Sequence, residues 1–297
     1  MTATVRPLPI LALTRRPAAA LPAAAALIAF VVLFAQPIRS LAAEWWNNPE
    51  AGHGLLLAPL AVWLAWRRGI EPRARSQVAF GSVIIVGAVL LRYLSGLAAE
   101  IFTMRVSALV ALAGVVVFVA GWRQVLRWWL PFTILFLSIP WPALITNALA
   151  LPLQFQASQM GAALLEMRNV PVMLQGNVIQ IPGHRLFVTE ACSGLRSLTA
   201  LLSLGVLVGG LWLRFPLSRL LVLLLAIPVA ILINAVRVFL TGFLVYFVDP
   251  KLGEGFMHVT EGWLLFIVAF AMLGLIAWIA SAVERRIRPQ PAEVVDA

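Results

Sequence analysis

Eight apolar segments separated by polar breaks run along the 297 residues of the chain. A helix that crosses the hydrocarbon core of a bilayer needs about 20 mostly apolar residues, and most of the segments are close to that length. They are approximately Pro17–Ala35, Gly54–Trp66, Val78–Ala98, Val106–Gly121, Trp128–Leu149, Gly194–Leu213, Leu217–Phe247 and Gly262–Ala282. The pattern therefore predicts an all-α membrane protein with about eight transmembrane helices.

The longest polar break lies between the fifth and sixth segments, from Ala150 to Glu190. Its first part, Leu151–Arg168, has the mixed polarity of a helix that lies in the membrane interface. Farther along, apolar and polar residues alternate around Gly176–Asn177 and Pro182–Gly183, two pairs that are typical of tight turns. We therefore expect a small extracytoplasmic hairpin-like element before the sixth transmembrane helix.

Composition supports the membrane assignment and removes one alternative. Hydrophobic residues make up 62% of the chain and charged residues 11%, whereas soluble domains average about 45–50% and about 25%. The net charge of +10 could indicate a nucleic-acid partner, but the arginines occur in twos and threes between the apolar segments. A nucleic-acid-binding surface gathers them on one face or in one run, so we expect no nucleic-acid partner.

The basic residues favour one side of the predicted membrane segments. That side carries Arg6, Arg15, Arg16, Arg67, Arg68, Arg73, Arg75, Arg123, Arg127, Arg214, Arg219, Arg285, Arg286 and Arg288. Because arginine-rich loops stay in the cytoplasm, we predict a protein of the cytoplasmic (inner) membrane with cytoplasmic tails at 1–16 and 283–297. The single polytopic domain then covers 17–282, and its first segment is an uncleaved span because it is longer than a signal-peptide core.

Cys192 is the only cysteine, and it lies where the outer loop enters the sixth segment. A lone cysteine cannot form an internal disulfide. A helix that starts near Ser193 would put the thiol at its N-terminus with Arg196 one turn on, and both favour the nucleophilic thiolate. Glu190, two residues before the cysteine, is a supporting candidate. The alternative is a small packing cysteine, because buried thiols are common.

A second group of polar residues lies inside the seventh segment. Asn234, Arg237 and Thr241 follow at i, i+3 and i+7, which puts them on one face of a helix. An arginine in mid-span costs about 2.5–3.5 kcal/mol on insertion scales, and an ionisable group there is a functional hypothesis by default. Arg237 could reach the outer interface by snorkelling, but snorkelling does not explain the polar residues beside it.

All three histidines fall on the predicted outer side, and they support different interpretations. His258 precedes the eighth segment, so it shares the outer ends of three consecutive segments with Cys192 and Arg237. A thiol, a guanidinium and an imidazole near one plane are the parts of an acyl-transfer site. His53, between two glycines, is either a substrate-groove residue or a packing residue, whereas His184 follows a Pro-Gly pair and is expected to be a turn residue.

The order of these motifs resembles that of the exosortase/archaeosortase family. The resemblance rests on Glu190-Ala-Cys-Ser-Gly-Leu-Arg-Ser197, on Asn234-Ala-Val-Arg237 and on the histidine before the last segment. It extends from about Trp45 to Trp278. Further matches are Gly52-His-Gly54 before a segment that ends in Trp66-Arg-Arg68, and Gly176-Asn-Val-Ile179 ahead of the cysteine.

The resemblance implies a multi-pass cysteine transpeptidase that is similar in role to sortase but has an unrelated fold. Cys192 would be the nucleophile, Arg237 the stabiliser of the transition state and His258 the acid or base, all on the periplasmic face and with no cofactor or metal. The implied partners are membrane lipid, an unknown acceptor and exported proteins with a tripartite C-terminal signal. That signal combines a motif such as Pro-Glu-Pro, a transmembrane helix and a basic end.

Three other functions are compatible with parts of the sequence. Zinc accepts ligands such as His53, His184, His258 and Cys192, but no two of these have a short metal-binding spacing. A transporter would suit the proline-interrupted segments and Arg237, but there is no repeat between the two halves and no intramembrane carboxylate. A lipid or glycan transferase could use an outward-facing Arg and His to hold phosphate. The cysteine separates these functions from acyl transfer.

Overall fold

The computed structural model describes the backbone of residues 17–48, 51–188, 195–249 and 255–287. It also describes their side chains, except those of residues 17–27, 143, 195–197 and 255–263. The chain is mostly helical, and its described part contains ten helices and one small sheet. The helices are α1 (Pro17–Asn47), α2 (Gly54–Arg68), α3 (Val78–Leu97), α4 (Ile101–Ala120), α5 (Trp122–Arg127), α6 (Trp129–Leu137), α7 (Ala143–Glu166), α8 (Leu195–Trp212), α9 (Pro216–Phe247) and α10 (Gly255–Ile287). The strands are β1 (Met173–Gln175), β2 (Val178–Ile181) and β3 (His184–Phe187).

Five stretches of the described helices are long and apolar enough to cross a membrane. They are Ile28–Asn47, Val78–Leu97, Ile101–Ala120, Pro216–Phe247 and Leu264–Ile287. A shorter apolar helix covers Leu198–Trp212. The chain is therefore a multi-pass helical membrane protein, and the count of eight spans stays a prediction.

The predicted fifth segment, Trp128–Leu149, is not one helix. It is divided between α6 and α7, with Pro140 and Pro142 in the break between them. Proline has no N–H to continue a helix, and it disfavours the helical conformation of the residue before it. The prediction of one continuous span is wrong here, and most of the predicted interfacial helix Leu151–Arg168 belongs to α7.

The described contacts divide the chain into two compact units, residues 1–142 and 143–297. In the first unit α3 and α4 pack closely, because a Cβ added to Gly81 would lie 2.5 Å from the backbone of Phe118. The buried Arg105 forms an ion pair with Glu44 and so joins α4 to α1. A single membrane domain over 17–282 stays a prediction.

In the second unit α9 is the central helix and packs against α7, α8 and α10. Buried apolar residues on one side of α9, including Ala230 and Ile233, form a cluster with α8 and α10. Val238 and Val245 form a second cluster with α7 and the sheet. Gly161 lets α7 come close to α9, because a Cβ added to it would lie 2.5 Å from Cγ1 of Val238.

α8, α9 and α10 have a register that their close contacts define. A Cβ added to Gly205 would lie 3.6 Å from Cα of Leu223 and 3.8 Å from Cδ2 of Leu273. A Cβ added to Gly209 would lie 3.6 Å from Cα of Arg219. Four residues forward along α8 therefore correspond to four residues back along α9, so these two helices are antiparallel.

A polar contact at one end of this bundle fixes the direction of α10. The carboxylate of Glu284 accepts hydrogen bonds from the backbone N–H groups of Arg214, at 2.9 Å, and Phe215, at 3.0 Å. The last turns of α10 thus lie beside the connection between α8 and α9. Consequently the start of α8, the second half of α9 and the start of α10 all lie toward the other end of the bundle.

The small sheet is antiparallel with strand order β1-β2-β3. Gly176–Asn177 and Pro182–Gly183 are its two-residue turns, and both glycines have positive φ, at 64° and 81°, which glycine adopts without strain. One face of the sheet, including Ile179, packs on α7 and α9. Two successive hairpins thus occupy the region where the sequence predicted a hairpin-like element, and its extracytoplasmic location stays a prediction.

The predicted orientation can be tested with reporter fusions. A cytoplasm-active reporter joined to Ala297, and a periplasm-active reporter joined after Gln175, should both be active because the arginine bias puts these positions on opposite sides of the membrane. Exchanging the two reporters supplies the control, and both exchanged fusions should be inactive. An inactive fusion in the first pair, with the protein present in the membrane, would contradict the orientation.

Candidate functional site at one end of the α8–α10 bundle

The polar stripe predicted for the seventh segment is present on α9. Asn234 is buried, whereas Arg237 and Thr241 are half-buried, and their spacing puts all three on one face of the helix. On one side of this face, Ala230 and Ile233 pack toward α8 and α10. On its other side, Val238 packs toward α7. The stripe therefore lies between the two apolar clusters.

Asn234 is the most unusual member of this stripe. Its side chain is 4% exposed, and neither Oδ1 nor Nδ2 has a hydrogen-bond partner among the described residues. A buried polar group without a partner is destabilising and needs an explanation. An amide that is kept in an apolar interior at such a cost is a candidate for binding a group that arrives with a substrate.

We expect Asn234→Leu to separate stability from function. Leucine has the same number of heavy atoms and no polar atoms to desolvate, so the variant should unfold at the same or a higher temperature than the native protein. Processing of substrate should slow by about tenfold or more, because a hydrogen bond to a polar group of the substrate is lost. Thermal unfolding in detergent and a processing assay measure the two effects. Lower stability together with native processing would make Asn234 a structural residue.

Cys192 and Glu190 lie outside the described residues, which stop at 188 and resume at 195. α8 begins at Leu195, three residues after the cysteine, so its start is close to the one predicted near Ser193. The backbone of Arg196 belongs to the first turn of α8, but its side chain lies outside the described part. The placement of the thiol at a helix N-terminus stays a prediction.

The described chain before Cys192 ends at Val188, which is held by Asn177, a residue that the sequence indicated only as part of a turn. The side chain of Asn177 donates hydrogen bonds to the carbonyl oxygen of Val188, at 3.1 Å, and to Oε1 of Gln154 on α7, at 3.3 Å. The backbone N–H of Val188 in turn donates to the carbonyl oxygen of Asn177, at 3.0 Å. Both polar backbone groups of Val188 are thereby fixed four residues before the cysteine.

The histidine before the last apolar segment lies inside a helix. α10 begins at Gly255, seven residues earlier than the predicted segment, so the backbone of His258 lies in its first turns. The side chain of His258 is outside the described part of the structure. Its position relative to the other candidate groups is therefore defined by the backbone of α10 alone.

The register of the bundle nevertheless brings three backbone positions together. Gly205, Leu223 and Leu273 lie at one level, and all helices rise by about 1.5 Å per residue. Continuing the antiparallel register from this level puts the start of α8 beside Ile233 and puts His258 beside Val238, within about one turn. Arg237 lies at the same height on α9, so Arg237, the backbone of His258 and the start of α8 belong to one end of the bundle.

His53 and His184 lie in different compact units and outside this register. His53 precedes α2, and His184 is the first residue of β3 rather than a turn residue, so that prediction is wrong by one position. Among the described residues, which leave out Cys192 and the side chain of His258, no three His, Cys, Asp or Glu lie close enough to hold a metal ion.

The glycine after His53 has a packing role. A Cβ added to Gly54 would lie 2.2 Å from Nε1 of Trp45, the atom that donates a hydrogen bond to the carbonyl oxygen of Ser138 at 2.8 Å. We expect Gly54→Ala to displace the indole, to break this hydrogen bond and to destabilise the protein by about 1–3 kcal/mol. Thermal unfolding should show the loss, and Gly87→Ala, where an added Cβ meets nothing within 4 Å, is the control. Native stability of Gly54→Ala would contradict the packing role.

The fold and the sequence define a class: a multi-pass helical membrane protein with an arginine on α9, a histidine in the first turns of α10 and a cysteine that precedes α8 by three residues in the sequence. A model of the transmembrane exosortase family matches residues 45–275, which is most of the chain. The chain therefore belongs to the transmembrane exosortase family. No curated protein and no solved structure matches the chain in the corresponding comparisons. Membership supports, at a general level, the processing of sorting signals on exported proteins.

Proposed function

We propose that this protein is a membrane cysteine peptidase and transpeptidase. It cleaves the C-terminal sorting signals of exported proteins at the outer face of the inner membrane and transfers the processed chain to an acceptor. The observation that carries the proposal is the register of α8, α9 and α10, because it brings the start of α8, Arg237 and the backbone of His258 to one level. Family membership supports the general activity, and the register supports our assignment of that activity to this end of the bundle.

Three side chains share the chemistry in this proposal. His258 takes the proton of the Cys192 thiol, and the thiolate attacks the carbonyl carbon of the scissile peptide bond. Arg237 stabilises the negative charge that develops on the carbonyl oxygen. The imidazolium of His258 then donates its proton to the leaving amine, the C–N bond breaks, and the substrate is left as a thioester on Cys192.

A nucleophile of the acceptor completes the reaction. It attacks the thioester carbonyl, forms a bond to the processed chain and releases the thiol. Water in place of the acceptor would give hydrolysis. Thr241 supports the guanidinium from the same face of α9, Asn234 offers its unpartnered amide to a polar group of the substrate, and Arg196 and Glu190 flank the cysteine in sequence. His53 is kept as a supporting candidate of the first unit.

The substrate of this reaction is an exported protein with a tripartite C-terminal signal. A short motif such as Pro-Glu-Pro enters the site, a transmembrane helix holds the substrate in the same bilayer, and a basic end keeps that helix oriented. Since both proteins are embedded in the membrane, diffusion is confined to two dimensions and the scissile bond is held near the depth of Arg237.

A reporter with such a signal tests the proposal. Co-expressed with the native protein, the reporter should be shortened at its C-terminus, and reporters that lack the motif, the transmembrane helix or the basic end should each remain uncleaved. A reporter with the motif residues in scrambled order is the matched control, because it keeps length and composition. Cleavage that does not depend on the signal would overturn the proposal.

A further inference from the structure

No described strand pairs with the outer edge of β3, and the hydrogen-bonding groups of that edge can be assigned. Asn177 and Val188 form a hydrogen-bonded pair between the start of β2 and the end of β3. Every second pair from there is also hydrogen-bonded: first Leu186 with Ile179, then His184 with Ile181. Bonded and non-bonded pairs alternate in an antiparallel ladder. The backbone N–H and C=O groups of the residues between them, Arg185 and Phe187, therefore point away from β2.

The turns give the same parity independently. A two-residue hairpin turn is closed by a hydrogen-bonded pair, and Pro182–Gly183 is closed by Ile181 and His184. The sheet ends at β3, and no described strand pairs with its outer edge. Four backbone groups, two N–H and two C=O, are thus directed to a free edge of the kind that an extended peptide extends by one strand.

The side chains of this edge distinguish its two faces. Leu186 packs on the cluster below the sheet, whereas Arg185 and Phe187 are exposed on the opposite face. No described carboxylate forms an ion pair with Arg185, since the ion pairs of the described residues involve other arginines. An exposed cation beside two free pairs of backbone groups favours a peptide that carries a negative charge.

The edge also precedes the proposed nucleophile closely in the sequence. Phe187 precedes Cys192 by five residues, so the two Cα atoms are separated by at most about 17 Å. Val188 between them is fixed on both its N–H and its C=O by Asn177. A peptide bound along the edge therefore lies beside an anchored part of the chain that is four residues from the cysteine in the sequence.

We propose that β3 binds the sorting motif of the substrate as an added antiparallel strand, with an acidic residue opposite Arg185. Residues directly opposite each other in an antiparallel pair have their side chains on the same face, so the carboxylate lies beside the guanidinium. The acidic residue exchanges both of its backbone hydrogen bonds with Arg185. Its two neighbours turn their nitrogen atoms away from β3, so each of them can be proline without the loss of a hydrogen bond.

This inference rests on the proposed function and specifies its substrate more closely. The site selects an extended peptide in which an acidic residue with a free N–H lies between two positions that tolerate proline. A Pro-Glu-Pro motif meets both conditions, because its one N–H belongs to the glutamate. Proline in place of the acidic residue is excluded, since it would remove both the charge and the hydrogen-bond donor.

Backbone methylation of a peptide tests the strand pairing directly. A short fluorescent peptide that carries Ala-Glu-Ala is titrated with the full-length Cys192→Ala protein in lipid nanodiscs, and its binding is followed by anisotropy. N-methylation at the glutamate should weaken binding by about tenfold or more, whereas N-methylation at either alanine should change it by less than about twofold. Equal effects at all three positions, or larger effects at the alanines, would overturn the proposed pairing.

A charge exchange tests the partner of Arg185. Arg185→Glu should slow processing of a Glu-containing substrate by about tenfold or more, and Glu→Arg in the substrate motif should restore it. Arg168→Glu is the matched control, because Arg168 is equally exposed in the same unit and lies outside the edge, so that variant should process at the native rate. No effect of Arg185→Glu, or no rescue by the exchanged substrate, would overturn the contact.

A proline substitution on the protein separates edge binding from folding. Phe187→Pro removes an N–H that points to the free edge and no hydrogen bond to β2, whereas Leu186→Pro removes one that the sheet uses. We expect Phe187→Pro to keep membrane abundance and Cys192 labelling but to lose peptide binding. If processing requires Cys192 and Phe187→Pro processes normally, edge binding fails while the proposed function stands. If the peptide binds with the expected alternation but no reporter is processed, the proposed function fails instead.

Discussion

Cys192→Ser should reach the membrane in native amounts and show no detectable processing of substrate. Serine replaces only the sulfur of cysteine by a smaller oxygen, so the change in packing is small. Its hydroxyl is far less acidic than a thiol and is a poor nucleophile without a base suited to it. Loss of a nucleophile from a comparable catalytic unit lowers the rate on the order of 10⁶-fold, which is below what a reporter assay detects.

Two further measurements separate the role of the thiol from a role in packing. A membrane-impermeant alkylating reagent should label Cys192 from the outer side in the native protein and stop processing. Ser193→Ala, which removes a neighbouring polar side chain, is the matched control and should process substrate at a rate close to native. Native processing by Cys192→Ala would refute the assignment of the nucleophile.

Arg237→Lys should insert normally, keep a labelled Cys192 and process substrate at least about 100-fold more slowly, because a preorganised donor to the oxyanion contributes about 3–4 kcal/mol. Lysine keeps the positive charge and therefore any effect on topology. It lacks the planar group that holds two donors in fixed positions. If Arg237 supplies only positive charge, Arg237→Lys leaves the processing rate unchanged. If the fixed positions of its two donors matter, the processing rate falls.

The same substitution elsewhere on α9 provides the control for Arg237→Lys. Arg219 donates a hydrogen bond from Nε to the carbonyl oxygen of Leu213 at 3.0 Å, at the end of the bundle opposite the proposed site. Arg219→Lys should change membrane abundance as much as Arg237→Lys does, but it should leave the rate per molecule unchanged. Near-native processing by Arg237→Lys would show that Arg237 supplies only charge, and low abundance would make it a structural residue.

Patterns of neighbouring residues in the sequence predicted the membrane-spanning character of the helices and the face on which their polar residues lie. Apolar length identified the membrane character, and the spacing of Asn234, Arg237 and Thr241 gave their common face. The same signals failed at Pro140 and Pro142, where apolar residues continue through a break that proline imposes on the backbone. A hydropathy average over many residues does not register such a break, whereas the missing N–H of a proline interrupts the helix at one position.

Contacts between distant residues were beyond the reach of the sequence. The register of α8, α9 and α10 depends on Gly205 and Gly209 meeting particular residues of the next helices, and no local pattern encodes that pairing. The clamp of Asn177 on Val188 joins residues 11 positions apart, and it was visible in the sequence only as a turn. The buried amide of Asn234 became unusual only when its surroundings were known.

Detection of a covalent intermediate is the most direct test of acyl transfer at this site. Purified protein in lipid nanodiscs is mixed with a reporter substrate in the absence of an acceptor. The reaction is stopped in acid, and the protein is digested for mass spectrometry. Acyl transfer through Cys192 predicts a thioester between this residue and the processed end of the substrate. Hydroxylamine should cleave this thioester, and in the Arg237→Lys variant the thioester should form more slowly. Acyl transfer through Cys192 would be contradicted if the substrate is cleaved while Cys192 stays unmodified and if alkylation of Cys192 does not change the rate of cleavage.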